Sequence, residues 1–172
     1  MATKDQLVNL GETLIRQGGA DAVSFRDLAA SLGIKSASVH YHFPTKDAFL
    51  ASVVISYLQR LMAALGLADD PTETPRDRLS RLTDYFVAMG TDGQGACPLA
   101  ALAATRVRLG PLATSAIDQA TGALLDWLDQ ALVGRLRADL TLGSLQGALL
   151  LTALRDDPGI IEAAEADLLS RL

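Results

Sequence analysis

The chain has 172 residues and a net charge of −5, and 49% of its residues are hydrophobic while only 5% are aromatic. This length suits one compact unit or a small domain joined to a larger one, and an apolar content dominated by Leu and Ala favours helices over strands. No apolar run reaches the roughly 18 residues of a membrane helix, no signal-peptide core is present and the single cysteine excludes an internal disulfide, so we expect a cytoplasmic protein that contacts no membrane.

The first half of the chain predicts four helices. The first covers residues 4–17, with its leucines on one face, and ends at Gly18-Gly19. Ser24 and Asp27 have the spacing of a capping box and start a second helix, which Gly33 stops. A short third helix follows over 36–42. The fourth begins near Pro44 and runs to about residue 65.

The second half predicts five more helices. Thr74-Pro75, followed by Asp77, is a strong helix start, and this fifth helix reaches about residue 90. The next three cover about 98–108, 111–136 and 140–154, and the ninth opens at Asp157-Pro158. The loop over 91–96 holds two glycines but follows no strand, so it does not predict a phosphate-binding loop.

The negative charge is concentrated in the C-terminal part of the chain. Residues 1–64 carry a net charge of +1 and the remainder a net charge of −6. An acidic protein is unusual among nucleic-acid binders, which ordinarily present a basic surface. Because the acidity lies elsewhere, the N-terminal part keeps the ability to contact DNA.

Residues 24–46 have the form of a helix-turn-helix. Two short helices are separated by the three-residue turn Gly33-Ile34-Lys35. At about 100° per residue, Val39 and Phe43 point inward, which leaves small, hydroxyl and aromatic side chains on the outer face of the third helix. Such side chains can bond phosphates and base edges, and an alanine can touch a thymine methyl.

The predicted DNA-contacting residues come from this outer face and from the helix starts beside it. Lys46 lies in the first turn of the fourth helix, where backbone N–H groups favour a phosphate. Arg26 could equally lie on a solvated face, and His42 could equally pack against the next helix. The predicted set is Ser24, Arg26, Lys35, Ser36, Ala37, Ser38, His40, Tyr41, His42 and Lys46.

The stretch SFRDLAASLGIKSASVHYHFPTKDAFL, residues 24–50, resembles the DNA-binding signature of the tetracycline-repressor (TetR) family. The resemblance rests on the Ser24 cap, the turn from Ala29 to Ile34, the Tyr41-His42-Phe43 run and the Thr45-Lys46 pair. It implies an all-α fold of about nine helices, with a helix-turn-helix DNA-binding domain in residues 1–46 and a helical effector-binding and dimerisation domain in 47–172. His40 departs from the pattern, because many members have a DNA-contacting tyrosine there.

This resemblance implies a ligand-responsive transcription regulator. The leading hypothesis is a cytoplasmic, nucleoid-associated repressor that binds a palindromic operator as a homodimer and is released by a small, largely apolar effector. Two alternatives stay open: an effector-free DNA-binding or adaptor protein, and an enzyme on a helical scaffold. The sequence offers no acid–base or nucleophile constellation for an enzyme, and it predicts no catalytic residue, cofactor or metal site.

Two further sets of residues are predicted in the C-terminal part. Aromatic and sulfur-containing side chains on helices five to seven are candidates for an effector pocket, although such residues are more often core. This set is Tyr85, Phe86, Met89, Cys97 and Trp127, with Cys97 expected foremost as a small buried residue. Apolar stripes on the last two helices predict a dimer interface. That set is Leu145, Leu149, Leu150, Leu154, Ile160, Ile161, Ala164 and Leu168.

Overall fold

A computed structural model describes residues 4–172, and its regular elements are all helical. Over these residues the all-α class and the nine predicted helices are confirmed. The helices are α1 (Lys4–Gly18), α2 (Phe25–Ser31), α3 (Ser36–His42), α4 (Lys46–Leu65), α5 (Pro75–Thr91), α6 (Pro98–Ala103), α7 (Pro111–Leu132), α8 (Ala138–Arg155) and α9 (Gly159–Ser170). Short 3-10 turns cover Ala20–Ala22 and Arg106–Arg108.

The chain divides into two compact units. The first unit consists of Met1–Gln59 and Pro98–Ala120, and the second of Arg60–Cys97 and Thr121–Leu172. The first therefore contains α1 to α3, most of α4, α6 and the start of α7. The predicted boundary at residue 46 separates functions rather than compact units, and it stays a prediction because compactness does not reveal which residues bind DNA or an effector.

An aromatic core organises the first unit. Phe49 of α4 is fully buried, and its ring meets the edge of Phe43 at a centroid distance of 4.9 Å and that of Phe25 at 5.7 Å. Edge-to-face pairs of this kind add about 0.5–1.5 kcal/mol to the free energy gained by burying the rings. The fully buried Leu28 and Val39 complete the core beneath the helix-turn-helix. α2 and α3 are thus held by α4, which follows them in the chain.

Helix α4 is long and apolar enough to cross a membrane, judged by length and composition alone. Its side chains Phe49, Val53, Val54 and Leu61 are fully buried within the protein. Their packing accounts for the apolar composition of α4, as expected for a core helix of a globular protein.

Helices α5, α8 and α9 pack together in the second unit. Fully or almost fully buried leucines and isoleucines from these helices fill the space between them. Four residues of the predicted dimer set lie in this core and are 0–3% exposed: Leu145, Leu149, Ile161 and Leu168. Because they are buried within their own protomer, their assignment to a dimer interface stays a prediction.

Two helices are shorter than predicted. α6 ends at Ala103 rather than near residue 108, and the Thr105 hydroxyl donates to the carbonyl of Leu102. Side-chain bonds of this kind offer the backbone an alternative to the helical ladder. α7 ends at Leu132 rather than near residue 136 because Val133 and Gly134 adopt left-handed φ angles of 51° and 73°.

The turn between α4 and α5 is held by a buried arginine. The guanidinium of Arg78, 6% exposed, donates to the carbonyl oxygens of Asp70, Glu73 and Ala131. The predicted helix start at Thr74 is confirmed, and it forms a capping box: the Thr74 hydroxyl accepts from the Asp77 N–H, and the Asp77 carboxylate accepts from the Thr74 N–H at 2.9 Å. The second unit thus fixes this connection from both sides.

Candidate nucleic-acid interface

The turn between α2 and α3 has the geometry that its sequence requires. Ser24 caps α2, and its hydroxyl accepts from the Asp27 N–H at 3.4 Å, which is the Ser24 half of the predicted capping box. Gly33 has a φ of +63°, a conformation that glycine adopts without strain. The N–H of Ile34 then donates to the carbonyl of Ala29 at 2.9 Å, which closes the turn. α3 therefore begins in a direction fixed by α2.

One face of α3 is packed and the opposite face is open. Val39 is fully buried, whereas Ser36, Ala37, His40 and Tyr41 are exposed, with Tyr41 at 82%. The ring and the hydroxyl of Tyr41 are thus open to a partner molecule. The exposed residues Ser36, Ala37, His40 and Tyr41 form the recognition face of α3.

Three other predicted residues are half-buried or engaged. Ser38 and His42 are half-buried, and the His42 ring meets the edge of Tyr41 at 5.3 Å. The His40 ring, although exposed, packs edge-on against Phe25 at a centroid distance of 5.0 Å. His40 is thus oriented by α2, which pre-sets the direction in which its ring nitrogens can bond.

The recognition face is flanked by exposed cations. Arg26 on α2, Lys35 in the turn and Lys46 at the start of α4 are all exposed. Arg26 contacts Asp27 at 3.4 Å, and a pair this exposed contributes little free energy, so the guanidinium stays available to another partner. The Thr45 hydroxyl caps α4 by accepting from the Ala48 N–H at 3.1 Å.

Asp47 was missed by the sequence reasoning. Its carboxylate accepts from the N–H groups of Leu112 and Ala113 at 3.0 and 2.9 Å, and so caps α7 from the start of α4. The signal that could have pointed to it is Gly110-Pro111. This helix start contains neither a capping side chain nor a proline N–H, so its cap has to come from elsewhere in the chain.

Comparisons with known proteins identify this arrangement. Residues 7–53 match the model of the family described as bacterial regulatory proteins, tetR family. The fold is similar to that of a TetR transcriptional regulator from Legionella pneumophila, with a TM-score of 0.90, 22% identity, and 99% of this chain and 97% of that one covered. A TetR-family regulator from Agrobacterium tumefaciens gives a TM-score of 0.89 at 23% identity over 98% and 96%.

Over residues 7–53 the chain is thus similar to the tetR family. Among its relatives is the HTH-type transcriptional repressor KstR2 of Mycolicibacterium smegmatis, 32% identical over 85 residues, which are 49% of this chain and 40% of that protein. Another is the HTH-type nicotine-responsive transcriptional repressor HdnoR of Paenarthrobacter nicotinovorans, 28% identical over 49% of this chain and 44% of that one. The chain thus spans less than half the length of these two repressors. The matching family is described as regulatory proteins, which favours the regulator hypothesis over the enzyme hypothesis.

The five predicted effector residues all lie in the second unit. Phe86, Cys97, Met89 and Trp127 are buried, and Tyr85 is half-buried. The Trp127 indole N–H donates to the carbonyl of Gly66 at 2.9 Å, so its polar atom is satisfied within the protein. A pocket of about 170 Å³ in the same unit is lined by other residues, including Gly90, Leu149 and Pro158. The assignment of these five residues stays a prediction.

The other half of the predicted dimer set remains accessible. Leu150 and Leu154 on α8 are exposed, and Ile160 and Ala164 on α9 are half-buried. The sequence reasoning missed Leu140 and Leu151 of α8, which are 61% and 49% exposed. α8 thus presents an apolar face to the exterior in addition to the one it packs in the core. Among the described residues, no group of three or more His, Cys, Asp or Glu side chains could hold a metal ion.

Proposed function

We propose that the chain is a ligand-responsive transcription regulator, a repressor that binds a palindromic DNA operator as a homodimer and leaves it when a small molecule binds. It acts in the cytoplasm, in association with the nucleoid. The observation that carries this proposal is the recognition face, an open helix surface with an 82% exposed tyrosine on a packed helix-turn-helix. Repressor function among the relatives KstR2 and HdnoR supports it.

The exposed cations of this surface determine how strongly the affinity for DNA depends on salt concentration. Arg26, Lys35 and Lys46 give three exposed cations beside the recognition face, or six in a dimer. Each phosphate contact contributes about −0.9 to the slope of log K against log salt, so we expect these cations to contribute a slope of about −5. A weak electrostatic contribution of this size fits a protein whose net charge is −5.

Operator binding can be tested on a duplex that the protein itself selects from a random-sequence pool. Tyr41→Ala and Lys46→Ala are expected to weaken binding in fluorescence anisotropy, and Lys46→Ala is expected to flatten the salt slope by about 2 per dimer. Val107→Ala and Arg155→Ala serve as controls, because they change an exposed apolar side chain and an exposed cation that lie outside residues 24–46. If both test variants bind like the parent at matched salt, the recognition surface is misassigned.

The exposed face of α8 supports a homodimer. Leu140, Leu150, Leu151 and Leu154 lie on it, together with Gly143 and Gly147, within a stripe about 100° wide. A Cβ atom added to either glycine would meet nothing within 4 Å in the protomer. Helix-interior glycines cost roughly 0.5–1 kcal/mol each relative to alanine, so their presence is explained if a partner helix approaches closely there. This α8 face, continued by Ile160 and Ala164 of α9, is the proposed interface.

The effector in this proposal is a small, largely apolar molecule held in the second unit by Tyr85, Phe86, Met89, Cys97 and Trp127. The buried, mostly apolar character of these side chains supports it, since small-molecule sites are predominantly apolar with few polar groups. To move the DNA-competent fraction from 99% to 1%, the effector has to prefer the other state by about 5.5 kcal/mol.

The single tryptophan makes effector binding directly observable. A panel of apolar compounds is screened by thermal shift and by Trp127 fluorescence, and compounds that score in both are added to the protein–operator complex. An effector is expected to raise the unfolding temperature, change the fluorescence and release the duplex. If no compound stabilises the protein while operator binding is intact, the effector-free DNA-binding protein is the better description.

A further inference from the structure

The first turn of α7 has no cap of its own. Gly110 precedes the helix without a side chain that could accept a hydrogen bond, and Pro111 opens it without an N–H. The backbone N–H groups of Leu112 and Ala113 therefore need an acceptor from outside the helix. Asp47 provides it with one carboxylate oxygen for each N–H, at 3.0 and 2.9 Å.

The space around this carboxylate is fitted to it. A Cβ atom built on Gly110 would lie 2.4 Å from the Asp47 Cγ, and 2.5 and 2.7 Å from its two oxygens. Any residue other than glycine at position 110 would displace the carboxylate. The hydrogen bonds and the required glycine are two separate observations on one arrangement, the Asp47 clasp, which consists of Asp47, Gly110 and the N–H groups of Leu112 and Ala113.

The clasp holds the part of α4 that carries a proposed phosphate contact. Asp47 follows Lys46 directly, in the first turn of α4, where the Thr45 hydroxyl fixes the helix start. A pocket of about 270 Å³ beside the clasp is lined by Lys46, Asp47 and Gly110, and also by Asp21 and Arg108. The carboxylate of Asp21 and the guanidinium of Arg108 meet there at 3.0 Å. The first turns of α4 and α7 are thus joined at the position of Lys46.

We propose that the Asp47 clasp is a positioning device for DNA binding, with Asp47 as its positioning residue. The clasp holds the first turn of α4 against the first turn of α7, and thereby sets where the Lys46 ammonium and the end of α3 stand when DNA is contacted. This inference rests on the proposed function, because Lys46 has to meet a phosphate for its position to matter.

Charge alone and loss of the clasp predict opposite effects of Asp47→Ala on the affinity for DNA. Asp47→Ala removes a negative charge next to Lys46, which raises the local positive potential and by itself strengthens binding to DNA. Loss of the clasp releases Lys46 from its position and weakens binding. The direction of the change therefore separates positioning from simple electrostatics.

The experiment uses the full chain and the duplex that the parent selects from a random-sequence pool. Asp47→Ala, Gly110→Ala, the double variant and Lys46→Ala are compared by fluorescence anisotropy over a salt series, well below each variant's unfolding temperature. Asp118→Ala is the control, because it also removes an acid from the first unit and breaks only the exposed pair with Arg106.

We expect Asp47→Ala and Gly110→Ala each to lose at least about tenfold in affinity and to give a flatter salt slope, as Lys46→Ala does. The double variant is expected to bind no more weakly than Asp47→Ala, because without the carboxylate the added methyl displaces nothing. The control is expected to bind like the parent. If Asp47→Ala does not fold, Asp47→Asn replaces it, with the same direction of change expected.

Two results overturn the clasp alone: Asp47→Ala binding as tightly as the parent or tighter while Lys46→Ala is weakened, or a double variant that is weaker by the product of the two single losses. A parent that selects no duplex at all overturns the proposed function and the clasp together.

Discussion

Alanine at Gly147 should stabilise the isolated protomer and weaken the dimer. Gly147 lies in the interior of α8, and an added Cβ meets nothing within 4 Å in the protomer. Replacing this glycine by alanine should therefore raise the free energy of unfolding of the protomer by roughly 0.5–1 kcal/mol. One methyl group is thus expected to stabilise the protomer and to weaken the dimer, and a general loss of stability would not produce this combination.

The effect on the dimer follows from symmetry. A two-fold interface on the α8 face brings the methyl group of each protomer against its partner, so one substitution places two new methyl groups in the contact. Overpacking costs about 1–3 kcal/mol for each inserted group, so the dimer dissociation constant should rise by at least tenfold. Gly143→Ala, on the same face one turn earlier, should behave alike.

Sedimentation equilibrium measures the dimer dissociation constant, and thermal unfolding at a concentration where the monomer dominates measures the protomer. Gly122→Ala is the matched control, since this glycine also lies inside a helix, α7, with nothing within 4 Å of an added Cβ. It should stabilise the protomer without changing dimerisation. If Gly147→Ala dimerises as tightly as the parent, the α8 face is not the interface.

Three further outcomes concern stability. Arg78→Ala should lower the free energy of unfolding by about 2–4 kcal/mol in urea titrations, because one buried and two part-buried carbonyl oxygens lose their donor. Val133→Asn should raise the unfolding temperature, since a β-branched residue at φ 51° costs about 1–2 kcal/mol. Bonds from the Thr74 hydroxyl and then the Thr74 N–H lower the pKa of Asp77 below its usual 3.8. A carboxyl group whose pKa is lowered by folding stabilises the fold at pH values above the pKa of the unfolded state. This contribution is lost as the pH falls through the pKa of the folded state. The unfolding temperature of Asp77→Ala should therefore be below that of the parent at pH 7, and the difference should shrink as the pH falls below 3.8.

Structural features that depend on a few neighbouring residues, such as helix starts and ends, could be predicted from the sequence. Thr74, Pro75 and Asp77 gave the start of α5, and Gly33 gave the end of α2, because caps act over three or four positions. The open face of α3 followed from helical periodicity around the inward-pointing Val39. Each of these needs only the geometry of one helix or one turn.

The sequence could not predict in the same way which element packs against an apolar stripe. α8 has leucines on more than one face, and periodicity shows that Leu145 and Leu150 are apolar without showing what covers either. The structure buries Leu145 against the helices of its own unit and leaves Leu150 exposed. The difference depends on where α5 and α9 pack, which is set by contacts distant in sequence.

The same distinction separates the helix starts of this protein into two kinds. α2, α4 and α5 are capped by Ser24, Thr45 and Thr74, so each can begin with its own residues alone. The first turn of α7 is capped by the Asp47 carboxylate, 65 residues before Leu112 in the chain. A locally capped helix keeps its start when its neighbours shift, whereas the first turn of α7 keeps its acceptor only while α4 stays beside it. Because α4 also carries Lys46, a movement that separates these two helix starts costs the cap of α7 and the position of the proposed phosphate contact at once.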